Sequence, residues 1–463
     1  MTHIFLKKIK IFVVFLVAFS LIACLKEPEI IKDVRDLPQN HLAYISDQTK
    51  NKDLIKKEDQ DRLVKDYRVI FFSVWHQLDP FYAKPANVKT DSKRFESNPG
   101  YGENKRRHNK SWYSKLLKNA DLEKYPNTGY PAITIRDSSL RALPTSRPHF
   151  FKPGGDSDGW PFDNLQRSAV AANTPIFVYH LSADKAWALV ETSFTFGWMP
   201  VSDFGRVDND FIKKWESGRF AVITRDKTSI FYKNGQFALK ASLGYRFPLA
   251  GETNEKLEIL IAAMSNDSDC AIIKKSYVFP EEAAIEFLQL NSFNAVRIAN
   301  ELTGEPYGWG GLYGNRDCSA MTRDFFAVFG IWLPRHSADQ VKETGTFIDL
   351  SSMSLEEKEK TIIEKGIPYL TLLWRKGHVM LYIGAKDGQA LIFHNIWGVR
   401  TKDLRGFEGR KIIGQAVITT LRPGRELRNF DSKAGDLLAH IAGMSILTPE
   451  HSLADKFQRT KNP

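Results

Sequence analysis

Apolar and polar positions change texture three times along this chain. Residues 25–66 are polar and charge-dense, as in Lys50-Asn51-Lys52-Asp53 and Lys56-Lys57-Glu58-Asp59, and predict a tether running into a charged helix. An aromatic cluster follows, from Phe71-Phe72 through Trp75 to Phe81-Tyr82, and a polar stretch around 85–110 then breaks the pattern. This suits an N-terminal arm, 24–130, that packs on other domains rather than a unit with its own core. From about 130 to 280 the apolar runs are short, such as Ile176-Phe177-Val178-Tyr179 and Trp187-Ala188-Leu189-Val190, with turn residues between them. Short strands and frequent turns predict small all-β barrels, one over 131–210 and one over 211–280.

After Pro280 the periodicity switches to helices and then to strands. Residues 281–290 read as one helix. Residues 292–302 read as another, with Ser292 as N-cap and Gly304 near C′. A third helix opens at Cys318, with apolar positions 318, 321, 325, 328, 329 and 332 on one face and Gly330 near its end. Strands are predicted over 369–374, 377–384 and 391–394, with a turn at Lys386-Asp387-Gly388. Helices first and strands later make an α+β domain over 281–425. The remainder, 426–463, reads as a C-terminal tail that is polar at its end and partly disordered.

Composition narrows the class. The chain has 463 residues, 43% hydrophobic and 12% aromatic, enough apolar side chain to exclude a disordered protein. Three cysteines exclude a disulfide-stapled scaffold and a multi-cysteine zinc domain. Residues 1–23 carry Lys7, Lys8 and Lys10 ahead of an unbroken apolar run over 11–19, the layout of an export signal. The segment ends Leu21-Ile22-Ala23-Cys24, which resembles a bacterial lipobox, so Cys24 is the expected lipidation site and membrane anchor. Removing that segment takes the net charge from +11 to +8. An exported basic protein faces an anionic wall or lipid surface rather than nucleic acid. Leu25 after the cysteine resembles outer-membrane lipoproteins facing the periplasm of a Gram-negative host.

The candidate chemistry lies in the α+β domain. Tyr307-Gly308-Trp309-Gly310-Gly311 and Asn315-Arg316-Asp317-Cys318-Ser319-Ala320 form a glycine-rich loop that leads into the helix-opening cysteine. A helix N-terminus favours thiolate over thiol and supplies N–H donors for an oxyanion. Antiparallel pairing about a turn near 385–388 sets His378 and His394 within one residue of cross-strand register. One histidine can act as base toward Cys318 while the other orients it. Cys270, in the second barrel, has nothing nucleophile-like around it and reads as a small buried or idle thiol. No histidine cluster has zinc spacing and no phosphate loop appears, so neither metal nor cofactor is expected.

These motifs together resemble the NlpC-type cell-wall cysteine peptidases, which have a papain-like fold. Asp317-Cys318-Ser319, Gly377-His378 and His394 follow the family's order, and Leu333-Pro334-Arg335-His336-Ser337 matches its Leu-Pro-Arg-x-Ser segment. Ala320 stands where the family often has glycine. Upstream, the clip-like arm and two SH3-like barrels resemble the family's larger members. The resemblance implies Cys318 as nucleophile, His378 as base and His394 as the third polar residue. It implies the Cys318 N–H and the Tyr307 hydroxyl as oxyanion donors. It also implies Asp317, Ser319 and Ser337 around the free amine of an N-terminal L-alanine, and Trp309 lining the D-glutamate pocket. The implied activity is cleavage of the γ-D-glutamyl–diamino acid bond of peptidoglycan stem peptides. Gly159-Trp160-Pro161-Phe162-Asp163 of the first barrel is a candidate wall of the cleft. The alternatives are a non-catalytic peptidoglycan-binding lipoprotein, or the same cysteine chemistry in an amidase or acyltransferase.

Overall fold

The computed structural model describes residues 30–45, 51–153, 159–449 and 453–458. Cys24 and the export segment lie outside the described residues. The N-terminal region is helical: Lys32–Asp36, Lys57–His76, Pro85–Lys93 and Lys110–Ala120. The first part of the aromatic cluster, Phe71 to Trp75, falls on the long helix Lys57–His76, whose side chains point in two directions. Phe72, Val74 and Trp75 enter a core shared by both barrels, against Ile133, Phe211, Trp215, Phe220 and Leu260. Tyr67 and Ile70 pack instead on Ala327, Trp332 and Phe457. Burying each such side chain contributes about 1.5–3 kcal/mol. The arm therefore has no core of its own but completes those of its neighbours. The polar stretch after it is not featureless, because Pro85 starts a helix at the position where its missing N–H costs nothing.

Each barrel is a seven-stranded sheet. The first comprises β1 (Tyr130–Thr134), β2 (Ser138–Arg141), β3 (Gln166–Val170), β4 (Pro175–Leu181), β5 (Trp187–Glu191), β6 (Phe196–Pro200) and β7 (Phe204–Arg206), in the order β3-β2-β6-β5-β4-β1-β7. The second comprises β8 (Phe220–Ile223), β9 (Thr228–Tyr232), β10 (Phe237–Ala241), β11 (Arg246–Glu252), β12 (Leu257–Met264), β13 (Ala271–Val278) and β14 (Ala283–Ile285), in the order β10-β9-β13-β12-β11-β8-β14. β14 corrects the helix expected over 281–290. Ala283 to Ile285 pair with the open edge of β8, and that pairing overrides a modest local helical pattern. Cys270 sits exposed in the turn between β12 and β13, so it is not buried.

The third unit is α+β. Its first helix is Ser292–Leu302, capped by Asn291, whose side chain accepts from Asn294 N; Ser292 is the first helical residue rather than the cap. The helix Cys318–Ala327 buries Met321, Phe325 and Phe326 against a sheet of β15 (Thr346–Asp349), β16 (Thr371–Arg375), β17 (His378–Lys386), β18 (Gln389–Lys402), β19 (Glu408–Thr420) and β20 (Gly443–Ile446). The order is β15-β20-β16-β17-β18-β19. The expected tail is thus corrected. β20 is inserted between β15 and β16, and its Met444 lies in the core beneath them. Further on, Phe457 stacks on Phe81 and meets Trp332 edge-on, closing the C-terminus onto the N-terminal helix.

Candidate active site

Cys318 is the first residue of its helix. Asp317 caps it, with extended backbone and a carboxylate that accepts from Ala320 N at 2.8 Å. The backbone N–H groups of Val379, and then of Ser319, act on the sulfur in the sense that favours a thiolate. Val379 follows His378 in β17, so the helix start and the strand start meet at the thiol. Cys318 and His378 line the same cleft. Burial, and then the Asp317 carboxylate, push the Cys318 thiol up to about 12. Burial and the nearby Arg375 hold His378 down to about 3. The thiolate expected at a helix start is therefore outweighed, and the resting pair is neutral thiol and neutral imidazole.

The two histidines meet through a register shift. Around the turn Lys386 faces Gln389 and Ala385 faces Ala390, but beyond Ile383 the pairing becomes Tyr382 with Ile392 and Leu381 with Phe393. Ile383 is an extra residue in β17, a bulge. Continued past the bulge, the register sets His394 opposite Met380. The histidines are then two residues out of register and not one, but they share a face, as diagonal neighbours can. Without the bulge they would lie on opposite faces. His378 Nε2 is 2.9 Å from His394 Nδ1, and His394 Nε2 is 3.1 Å from Thr419 Oγ1. Thr419 donates its own proton to the Thr420 carbonyl at 2.8 Å, so its oxygen accepts from His394. That assigns hydrogens to His394 Nε2 and His378 Nε2 and leaves His378 Nδ1 unprotonated, able to accept a proton.

Tyr307 lies beside the thiol. Burial, then Cys318 and Asp317, raise its phenol well above the ordinary range, so it stays a donor. Its loop is held by Tyr307 N to Gly414 O at 2.8 Å and Gly308 N to Arg316 O at 2.9 Å. Gly310 and Gly311 have positive φ, and a Cβ on Gly311 would lie 2.4 Å from the Ala169 side chain. Only glycine lets this loop press against β3 of the first barrel.

The cleft is about 800 Å³ and is lined by both the α+β unit and the first barrel. Trp160 meets Trp397 edge-on at 5.3 Å, and Phe162 meets Trp309 at 5.1 Å. Asp163 anchors the wall through a buried ion pair with Arg141 at 2.7 Å, and its carbonyl accepts from Trp309 Nε1 at 3.0 Å. Phe162 of the 159–163 segment therefore lines the cleft, while Trp160, 57% exposed, packs on the lining residue Trp397.

Tyr307, Trp309, Asp317, Cys318, Ser319, Ser337 and His378 all line the cleft, and His394 lies fully buried behind it. Asp317 already has partners within the protein. Asp317 Oδ2 is 2.7 Å from Arg335 Nη2 and accepts from Gly310 N at 3.0 Å, while Ser319 Oγ donates to Asp317 Oδ1 and accepts from Arg335. This carboxylate is already neutralised, so it does not offer a substrate amine an unpaired charge. Arg335 lay within the matched Leu-Pro-Arg segment without a role, and Thr419, in a plain β pattern, carried no signal at all. Among the described residues no cluster of histidine, cysteine and acids could hold a metal, and no helix is long and apolar enough to cross a membrane.

Four family matches run in order along the chain. They are the N-terminal NLPC_P60 stabilising domain at residues 10–125, an SH3 domain of SH3b1 type at 148–200, an SH3 domain of SH3b2 type at 208–254, and the NlpC/P60 family at 304–409. Among curated proteins, none matches. Among solved structures the chain is similar to an NlpC/P60 endopeptidase from Photobacterium damselae subsp. piscicida. The two are 25% identical, with a TM-score of 0.78, over 89% of this chain and 98% of that one. An NlpC/P60 family protein from Bacillus cereus aligns over 68% of this chain and 99% of its own, at 18% identity and a TM-score of 0.46. With all four modules in order, this chain carries an NlpC/P60 domain preceded by an NLPC_P60 stabilising domain and two SH3 b-type domains.

Proposed function

We propose that this protein hydrolyses the γ-D-glutamyl–diamino acid bond of peptidoglycan stem peptides that have a free N-terminal L-alanine. The observation that carries this reading is that Cys318 lines one cleft with His378, which is hydrogen-bonded to His394. His378 Nδ1 takes the thiol proton as the sulfur attacks the γ-carbonyl. The Cys318 N–H and the Tyr307 hydroxyl receive the oxyanion. The imidazolium then protonates the leaving amine, and water, deprotonated by His378, hydrolyses the thioester. Stem peptides carry several carboxylates, and among the described residues seven cationic side chains line the cleft against two acids. The aromatic wall supports short, free-ended peptides on steric grounds, since Asp317 is engaged by Arg335.

We place the protein at the cell envelope, anchored through lipidated Cys24, at the outer membrane facing the periplasm if the host is Gram-negative. The test of activity is incubation of the protein and of a Cys318→Ala form with L-Ala-γ-D-Glu-diaminopimelate. Cleavage by the first alone is expected; none by either, or equal cleavage by both, rejects the reading. Palmitate labelling that persists in a Cys24→Ser form would reject the anchor.

A further inference from the structure

The hairpin between β18 and β19 carries apolar side chains outward. Its loop, 403–407, holds Leu404, fully exposed, and Phe407, 68% exposed. The Asp403 carboxylate accepts from Arg405 N at 2.9 Å and from Phe407 N at 2.8 Å, which fixes the loop without covering either side chain. Exposed Lys402, Arg405 and Arg428 flank this tip, the last because Lys402 N donates to Asn429 O at 2.7 Å. The acids of the tip are engaged, Asp403 by its own loop and Glu408 at 3.9 Å from Arg400. Exposed apolar side chains mark interaction sites, and flanked by cations they suit the headgroup layer of an anionic bilayer.

The upstream chain arrives on the same side. Gln39 exchanges hydrogen bonds with both backbone groups of Ile418, and Asp33 accepts from Thr420 N at 2.7 Å, at the end of β19 far from the tip. Two residues before Asp33, Ile31 packs on Val399 and Leu427, with Ile413 beside them, nearer the tip. Followed toward its start, the chain therefore runs along the sheet toward the hairpin. Ile30, the first described residue, is 54% exposed, and Cys24 lies six residues before it. Six residues at full extension reach about 20 Å. Leu404 lies about 17 Å beyond Val399 at the rise of a strand. One surface is thus within reach of both Cys24 and the tip.

We infer that Leu404 and Phe407 enter the headgroup layer of the bilayer that holds the protein, with anionic lipid as the partner of the tip. This goes beyond the proposed function and takes from it only the anchor at Cys24. A tether by itself limits distance and leaves orientation free, whereas a second contact fixes both. β18 also carries cleft-lining Trp397 and Arg400 just before the tip, so the contact holds the cleft mouth beside the bilayer.

The test uses the full chain with nitroxide labels in vesicles of phosphatidylethanolamine and phosphatidylglycerol. Labels are placed on Leu404→Cys, on Phe407→Cys and, as a control at the opposite end of β18, on Asp387→Cys, each with exposed Cys270 changed to serine. The same chain without an added cysteine gives the signal of buried Cys318 for subtraction. Label accessibility to oxygen, which concentrates in the bilayer, is compared with accessibility to a water-soluble nickel chelate. That ratio is expected to be severalfold higher at 404 and 407 than at 387. Leu404→Ser is expected to lower it at 407, and Leu404→Met to keep it. Vesicles of phosphatidylcholine alone should give a smaller ratio; an equal one would overturn the choice of anionic lipid. Ratios at 404 and 407 equal to the control overturn the contact, whether or not palmitate is incorporated. Raised ratios in a chain without palmitate keep the contact and reject the anchor. Labels that are immobilised by sacculi but stay aqueous in vesicles overturn the contact in favour of a wall polymer.

Discussion

Arg335 Nη2 lies 2.7 Å from Asp317 Oδ2 directly behind the nucleophile, with the two side chains 5% and 9% exposed. Burial pushes the Asp317 carboxyl up, but the Arg335 charge and hydrogen bonds outweigh it, and the net shift is downward. The pair adds little net charge to the cleft while fixing the cap of the catalytic helix. Arg335→Met should leave a buried lone carboxylate and destabilise the fold by about 3–5 kcal/mol. The Asp317→Asn, Arg335→Met double variant should lose less than the sum of the single changes. Urea titrations measure both. Strict additivity would mean the pair is not coupled.

In the proposed mechanism Thr419 acts through His394, to which it is hydrogen-bonded. Thr419→Val removes the acceptor that holds the His394 tautomer, so His378 Nδ1 is no longer reserved as the base. The expected fall in kcat is about tenfold, the worth of one hydrogen bond, with KM little changed. Thr419→Ser should recover most of the rate. A loss shared equally by the serine form would point to packing of the methyl group instead.

The neutral resting pair sets the pH behaviour of the thiol. With Cys318 raised to about 12 and His378 lowered to about 3, alkylation by iodoacetamide should be slow near neutrality and climb toward alkaline pH. A fast plateau through mildly acidic pH would instead reveal a thiolate–imidazolium pair. His378 also links stability to pH. Its folded value lies below the ordinary 6.5, so its contribution is fully present above 6.5 and is lost as pH falls toward 3. His41, buried against Tyr369 and Phe393, is also lowered to about 3 and adds to the same window. The urea midpoint should drop across it.

Gly311 is where the catalytic loop meets the first barrel. At φ +84°, with Ala169 backbone nitrogen 2.9 Å from the added Cβ, Gly311→Ala combines backbone strain with a clash. The expected cost is about 1–3 kcal/mol. Because the loop carries Tyr307 and Trp309, kcat/KM should fall together with the thermal midpoint. Unchanged values for both would show that the barrel docks elsewhere.

Short-range patterns carried much of the reading. The helix from Cys318, the two runs of barrel strands and the Asp387-Gly388 turn are stated by spacing and turn chemistry, which act between near neighbours. The same reasoning failed at 281–290, where an edge of β8 competed for the segment, and at the C-terminus, where β20 found a slot between strands far away in the chain.

From the amino-acid sequence alone one could read the order of modules and pick out Cys318, His378 and His394 as candidates for one site, because those rest on residue type and local period. Tertiary structure decided the rest. The Ile383 bulge put the two histidines on one face, Arg335 paired with Asp317, Thr419 set the tautomer, and Phe162 of the first barrel came to line the cleft. A one-residue slip inverts a strand face, and a buried charge is defined by its partner. Neither leaves a trace in composition or periodicity, because both depend on groups brought together only when distant segments pack.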